Sequence, residues 1–249
     1  MSDPVSVRYE ADYVVRSYEI DTSGHVRPLT LLNYMQDAAG EHAARLGLSV
    51  IDLFKRNLTW VLSRYNVRFH SFPFVHSRIH LKTWPSGREG RFALREFELT
   101  DVSGTPVISA STSWMLLNLE TRRPVRVDEH LPDLPIDPLR MVEDRFTSLP
   151  ELSEFSCELP FRVRHGDVDL NKHVNNVVYV DWALETLPPE RIGTLRPASV
   201  EISYRAESYY GDRIFSRSLF TDEETSLHKL VSEQTGKEVA RLRVQWQEL

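Results

Sequence analysis

The chain has one cysteine, Cys157, among 249 residues. No disulfide framework and no cysteine-based zinc site can form within it, which suits a reducing compartment. It lacks any run of about 18 apolar residues, so no helical membrane span is expected. The opening residues Met1 to Glu10 hold no apolar signal core, and the expected location is the cytoplasm. An excess of positive charge is missing too. The formal net charge is −6, which disfavours non-specific binding to nucleic acid or to an anionic membrane. Glycine is scarce at 10 residues, and neither Gly-x-Gly-x-x-Gly nor Gly-x-x-x-x-Gly-Lys occurs, so no nucleotide cofactor is indicated. The Gly-x-Ser-x-Gly elbow of serine hydrolases is absent as well.

What is there is ordinary globular composition, 41% hydrophobic and 27% charged, over a length that fits one large domain or two small ones. Residues 6–15 alternate Val7, Tyr9, Ala11, Tyr13 and Val15 against Arg8, Glu10 and Asp12, as a strand does. A polar stretch from Asp21 to Pro28 follows. Then Leu29, Leu32, Met35, Gln36, Ala39, Ala43 and Leu46 recur at helical spacing up to Gly47. Beyond it the period switches to two, giving strands around residues 61–69, 78–83, 92–99 and 107–119. Between Asp128 and Ser156 four prolines break an acidic, non-periodic segment, read as an interdomain connection lying across one half.

The first pattern then returns. A strand is expected over residues 157–164, a helix through Val177, Val180, Leu184 and Leu187 up to Pro188-Pro189, and four strands after it. Aligning His25 with His173 gives an offset of 148 residues (173 less 25), which also pairs Asp21 with Asp169, Ser23 with Asn171 and Val26 with Val174. Two copies of one strand, helix and sheet unit account for the length. The expected fold class is α+β, with an antiparallel sheet packed on a helix in each copy.

The candidate site lies in the second copy, at Asp167 to Glu185. Extended backbone would turn Asp169, Asn171 and His173 the same way, just ahead of the helix. Carboxylate, amide and imidazole suit water activation, yet Asp and Asn are also common helix caps. His165, Asp167, Asp169 and His173 suit a metal on paper, but capping and water activation explain them equally, and no metal is expected.

The residues resemble the acyl-acyl carrier protein thioesterase family of plant plastids and bacteria. The likeness runs through Trp60-Val61-Leu62-Ser63-Arg64, Lys82-Thr83-Trp84 and Ser111-Thr112-Ser113-Trp114-Met115. It is most specific at Asn171-Lys172-His173-Val174-Asn175-Asn176, continuing to Tyr179, Trp182 and Glu185, and at Ile202 to Ser208. The resemblance implies two tandem hot-dog domains, each a curled antiparallel sheet wrapped around a central helix. Their expected bounds are 1–127, binding the acyl chain, and 157–249, catalytic, joined by 128–156. It implies hydrolysis of fatty acyl-acyl carrier protein to free fatty acid and carrier protein, with no cofactor. The implied catalytic set is Asp169, Asn171, His173 and Glu207. Glu207 or His173 would activate water, or Glu207 would itself attack. Ser208 stands where plant members carry a cysteine, which argues against an obligatory thiol nucleophile.

The alternatives are an acyl-CoA thioesterase and a non-enzymatic acyl-thioester-binding module. The partner is acyl carrier protein, for which Arg88 to Arg95 and Arg122-Arg123 are candidate docking groups; a homodimer is left open. The resemblance places Trp60, Trp84 and Trp114 along an acyl tunnel, while ordinary core packing explains them as well. No residue is assigned to substrate binding.

Overall fold

The computed structural model describes residues 6–249; residues 1–5, the start of the expected first domain, lie outside the described residues. The chain divides into two compact units, Met1–Arg145 and Phe146–Leu249.

In the first unit β1 (Tyr9–Val14) precedes α1 (Pro28–Arg45) and the short α2 (Val50–Phe54). Strands β2 (Leu58–Phe69), β3 (Arg78–Glu89), β4 (Phe92–Asp101), β5 (Pro106–Asn118) and β6 (Pro124–Val125) follow, then the single turn α3 (Val127–His130). The strands pair antiparallel in the order β1-β3-β4-β5-β2, with β6 on β5. Pro28 opens α1, where its missing N–H costs nothing, and Gly47 at φ +67° follows its end. Leu31, Leu32, Met35 and Ala38 of α1 are buried, as are Ile79, Leu81, Phe97 and Leu99 of β3 and β4. Burying each such side chain is worth about 1.5–3 kcal/mol.

Neighbouring strand residues point to opposite faces. Arg95 reaches His42 of α1, so Glu96 faces away from that helix. Residues 137–145 cover this far face. Trp84 Nε1 donates to the Leu139 carbonyl at 3.0 Å, and Arg8 Nε donates to Asp137 at 2.8 Å. Glu96 is fully buried; it accepts from Met141 N and from the hydroxyls of Ser86 and Ser111, and lies 2.9 Å from Arg140 Nε. The segment expected as one connection, 128–156, is therefore shared. Its first part is pinned to the first unit, and in its last part the Leu149 carbonyl accepts from Arg241 and Ser156 N donates to Ser218 in the second.

The second unit holds β7 (Cys157–Arg162), α4 (Asn176–Leu184), β8 (Leu195–Tyr204), β9 (Arg213–Phe220), β10 (Thr225–Ser232) and β11 (Glu238–Glu248). The antiparallel order is β8-β11-β10-β9-β7. Val177, Val180 and Ala183 of α4 are buried with Val200, Ile202, Ile214, Leu230, Leu242 and Val244 of the strands. The helix stops short of the expected Leu187. Thr186 and Leu187 make tighter bonds three residues back, to Ala183 and Leu184, before Pro188 ends the run. A polar knot sits inside the unit: the His228 ring touches Ser226 Oγ at 2.7 Å and Thr186 Oγ1 at 3.3 Å, and Trp246 Nε1 donates to Ser226.

Candidate active site

The stretch expected as extended is a tight turn. A bridge joins Val168 to Val174, and between them Asp169 N donates to the His173 carbonyl at 2.9 Å and Lys172 N to the Asp169 carbonyl at 3.0 Å. The Asp169 carboxylate accepts from the backbone N–H of Asn171 at 2.8 Å and of His173 at 3.4 Å. A short acidic side chain can satisfy its own backbone in this way, and here that preference overrides the strand-like spacing. Lys172 takes φ +65° to close the turn.

The backbone then ties the turn to the segment after β8. Val174 N donates to the Ser208 carbonyl at 2.9 Å, and Asn175 N to the Asp167 carbonyl at 2.8 Å. Asn175 caps α4, its side chain accepting from Val177 N at 3.2 Å, and Tyr204 Oη donates to the Asn176 carbonyl at 2.9 Å. These bonds bring Glu207 against His173, with Oε1 3.4 Å from Nδ1. Both side chains keep about a quarter of their surface open, 28% and 25%, enough to meet water and substrate. Asn171 is half-buried in the same turn. Ser208 is fully buried.

Tyr209 belongs to this cluster and was not anticipated. Its hydroxyl donates to Glu207 Oε2 at 3.0 Å, and its ring stands edge-on to the His173 ring at 5.1 Å. The usable signal was its position two residues past Glu207, on the same side if the chain there runs extended. Beneath the site, burial pushes the Tyr179 hydroxyl up to about 12, so it stays neutral. The Asp167 carboxylate is engaged elsewhere and takes the Arg164 guanidinium at 2.8 Å. Among the described residues no group of three or more His, Cys, Asp or Glu is arranged to hold a metal ion.

The first unit repeats the frame without a counterpart of the Glu207 carboxylate. Ile20 bridges Val26, Asp21 N donates to the His25 carbonyl at 2.8 Å, and Gly24, at φ +83°, stands where Lys172 does. Asp21 accepts from the N–H of Ser23 and of His25, as Asp169 does from Asn171 and His173. Val26 N donates to the Pro73 carbonyl, the counterpart of Val174 to Ser208. Pro73 thus matches Ser208, Phe72 matches Glu207 and Phe74 matches Tyr209. On this leg the offset is 135 residues (208 less 73) instead of 148. Phe74 lies against the His25 ring at 3.9 Å, and Phe72 replaces the carboxylate. Trp60, Trp84 and Trp114 each donate an indole N–H within the first unit, to Leu48, Leu139 and Thr112.

The family model for the acyl-ACP thioesterase N-terminal domain matches residues 6–134, and that for the C-terminal domain matches residues 151–248. The chain belongs to the acyl-acyl carrier protein thioesterase family. Members of this family are thioester hydrolases. The chain is 29% identical to the chloroplastic oleoyl-acyl carrier protein thioesterase 2 of Arabidopsis thaliana, over 96% of its own length and 76% of the relative's. It is 31% identical to the chloroplastic oleoyl-acyl carrier protein thioesterase of Coriandrum sativum, over 90% and 66%. The crystal structure of an acyl-ACP thioesterase from Bacteroides thetaiotaomicron superposes with a TM-score of 0.82 at 25% identity, covering 96% of this chain and 98% of that one. The expected α+β class with tandem hot-dog units stands on that match. No helix among the described residues is long and apolar enough to cross a membrane.

Proposed function

We propose that the chain hydrolyses the thioester joining a fatty acyl chain to acyl carrier protein, and so ends chain growth in fatty acid synthesis. The observation that carries this reading is the contact of Glu207 with His173, a carboxylate and an imidazole brought together, each about a quarter exposed, from separate segments of the second unit. Glu207 facing Nδ1 favours the tautomer with its proton there, which leaves Nε2 as an acceptor. His173 then takes a proton from water, and the oxygen adds to the thioester carbonyl. Asn171 donates a side-chain amide N–H to the oxyanion that forms. Collapse breaks the C–S bond, and the imidazolium returns its proton to the departing thiolate, so charge and protons balance. Asp169 shapes the turn through backbone N–H groups. Ser208, being buried, is no nucleophile in this scheme.

The acyl chain is assigned to the first unit, whose matching turn has exchanged the carboxylate for Phe72. The cytoplasm is the assigned compartment, on the strength of the single cysteine; the named relatives are chloroplastic. A homodimer is the remaining expectation about assembly, and a mass measurement in solution tests it.

The test is thiol release from acyl carrier protein and CoA thioesters side by side, with Asn171→Ala, His173→Ala and Glu207→Gln. Carrier-protein substrates are expected to turn over faster, and each variant to lose roughly 10²–10⁴-fold in kcat. Equal rates on CoA would make the chain an acyl-CoA thioesterase. No release from either would leave a binding module. Wild-type turnover in all three variants would discard the site.

A further inference from the structure

We infer that Tyr209 is a positioning residue of the hydrolytic site, its hydroxyl holding the Glu207 carboxylate in the orientation that faces His173; this rests on the Glu207–His173 reading. Glu207 is gripped at both oxygens, Oε1 by the His173 ring at 3.4 Å and Oε2 by the Tyr209 hydroxyl at 3.0 Å. A long, partly exposed carboxylate samples several rotamers unless something fixes it, and a contact at each oxygen favours a single orientation. The Tyr209 ring meets the His173 ring edge-on, so one side chain touches both members of the pair.

The duplicated frame separates what the ring does from what the hydroxyl does. Phe74, at the matching place in the first unit, also packs on a histidine, while Phe72 holds the sequence position that matches Glu207. An aromatic ring is therefore common to both turns. The hydroxyl occurs only where there is a glutamate for it to hold. The same comparison shows that a phenylalanine fits this position in the fold, which makes Tyr209→Phe a clean removal of one oxygen.

The experiment measures kcat, KM, the pH profile of kcat/KM and the melting temperature for the wild-type full chain, Tyr209→Phe, Tyr209→Ala and Glu207→Gln, on acyl carrier protein thioesters. The Phe variant is expected to melt as the wild type does. Its kcat should fall roughly ten- to a hundredfold, as for a lost hydrogen bond to a charged group, with little change in KM. The acidic limb of its profile should move to higher pH, because a bond donated to a carboxylate favours the ionised form and its loss makes that carboxylate the stronger partner for an imidazolium. The Ala variant should lose at least as much. Wild-type kcat and an unmoved limb in the Phe variant, beside an inactive Glu207→Gln, would overturn the inference while leaving the site standing. A fall in kcat that tracks a lower melting temperature, with the limb unmoved, would also overturn it by making Tyr209 merely structural. Full activity in Glu207→Gln would remove the site itself and the inference with it.

Discussion

Acid should unfold this protein through two histidines that have no part in the proposed chemistry. His228 is 1% exposed, and burial holds its imidazole down at about 3. His42 is likewise 1% exposed, and burial with the nearby Arg95 charge lowers it to about 4. Both are neutral when folded and take up a proton when unfolding exposes them, near the ordinary value of about 6.5. Their folded values are depressed, so the stabilising effect is complete above about pH 6.5 and is lost as pH falls through the window down to each folded value. At pH 5 the unfolded form of His228 is favoured by about 1.5 pH units of protonation, worth about 2 kcal/mol at 1.36 kcal/mol per unit. His42 contributes a similar amount in the first unit. Urea unfolding at pH 7 and pH 5, on wild type, His228→Gln and His42→Gln, reads this directly. Each variant is expected to lose stability at pH 7, since its hydrogen bonds are disturbed, but to show a pH 7 to pH 5 drop smaller by about 2 kcal/mol. A drop as large in His228→Gln as in wild type would refute the reasoning.

Two stability predictions follow from the fold. Arg140→Ala leaves Glu96 buried beside no cation, and should destabilise the first unit by about 3–5 kcal/mol in a thermal or urea melt; Glu96→Gln in the same background should recover part of that loss. Lys172→Gly relieves a positive φ that costs a side chain about 1–2 kcal/mol while adding unfolded-state freedom, so its melting temperature should hold or rise slightly.

Much of the architecture was legible because repetition is visible without contacts. The shared offset of Asp21 with Asp169 and His25 with His173 anticipated two turns that carry the same hydrogen bonds. The conformation of that turn was not legible. Residues alternating at two-residue spacing suggest a strand, and only the Asp169 carboxylate bonding two N–H groups decides otherwise. Strand ends slipped for similar reasons. β8 takes in Pro197, which reads as a strand breaker, because Pro197 sits at a bulge opposite Trp246 where it costs little; the strand stops at Tyr204, because Arg205 and Ala206 both donate to the Val239 carbonyl. Glu207 was reached through family likeness and not through any local pattern. The match of Phe72 and Phe74 to Glu207 and Tyr209 was hidden because the two legs of the repeat differ by 13 residues (148 less 135).

The paired turns also bear on how such a protein can change. Each closes on main-chain bonds and one aspartate, so its frame is held without the histidine side chain. A histidine can sit there beside a phenylalanine or beside a carboxylate while the turn keeps the same main-chain bonds. The side chains of one turn can therefore change while its twin stays as it is, because the frame of each rests on its own backbone.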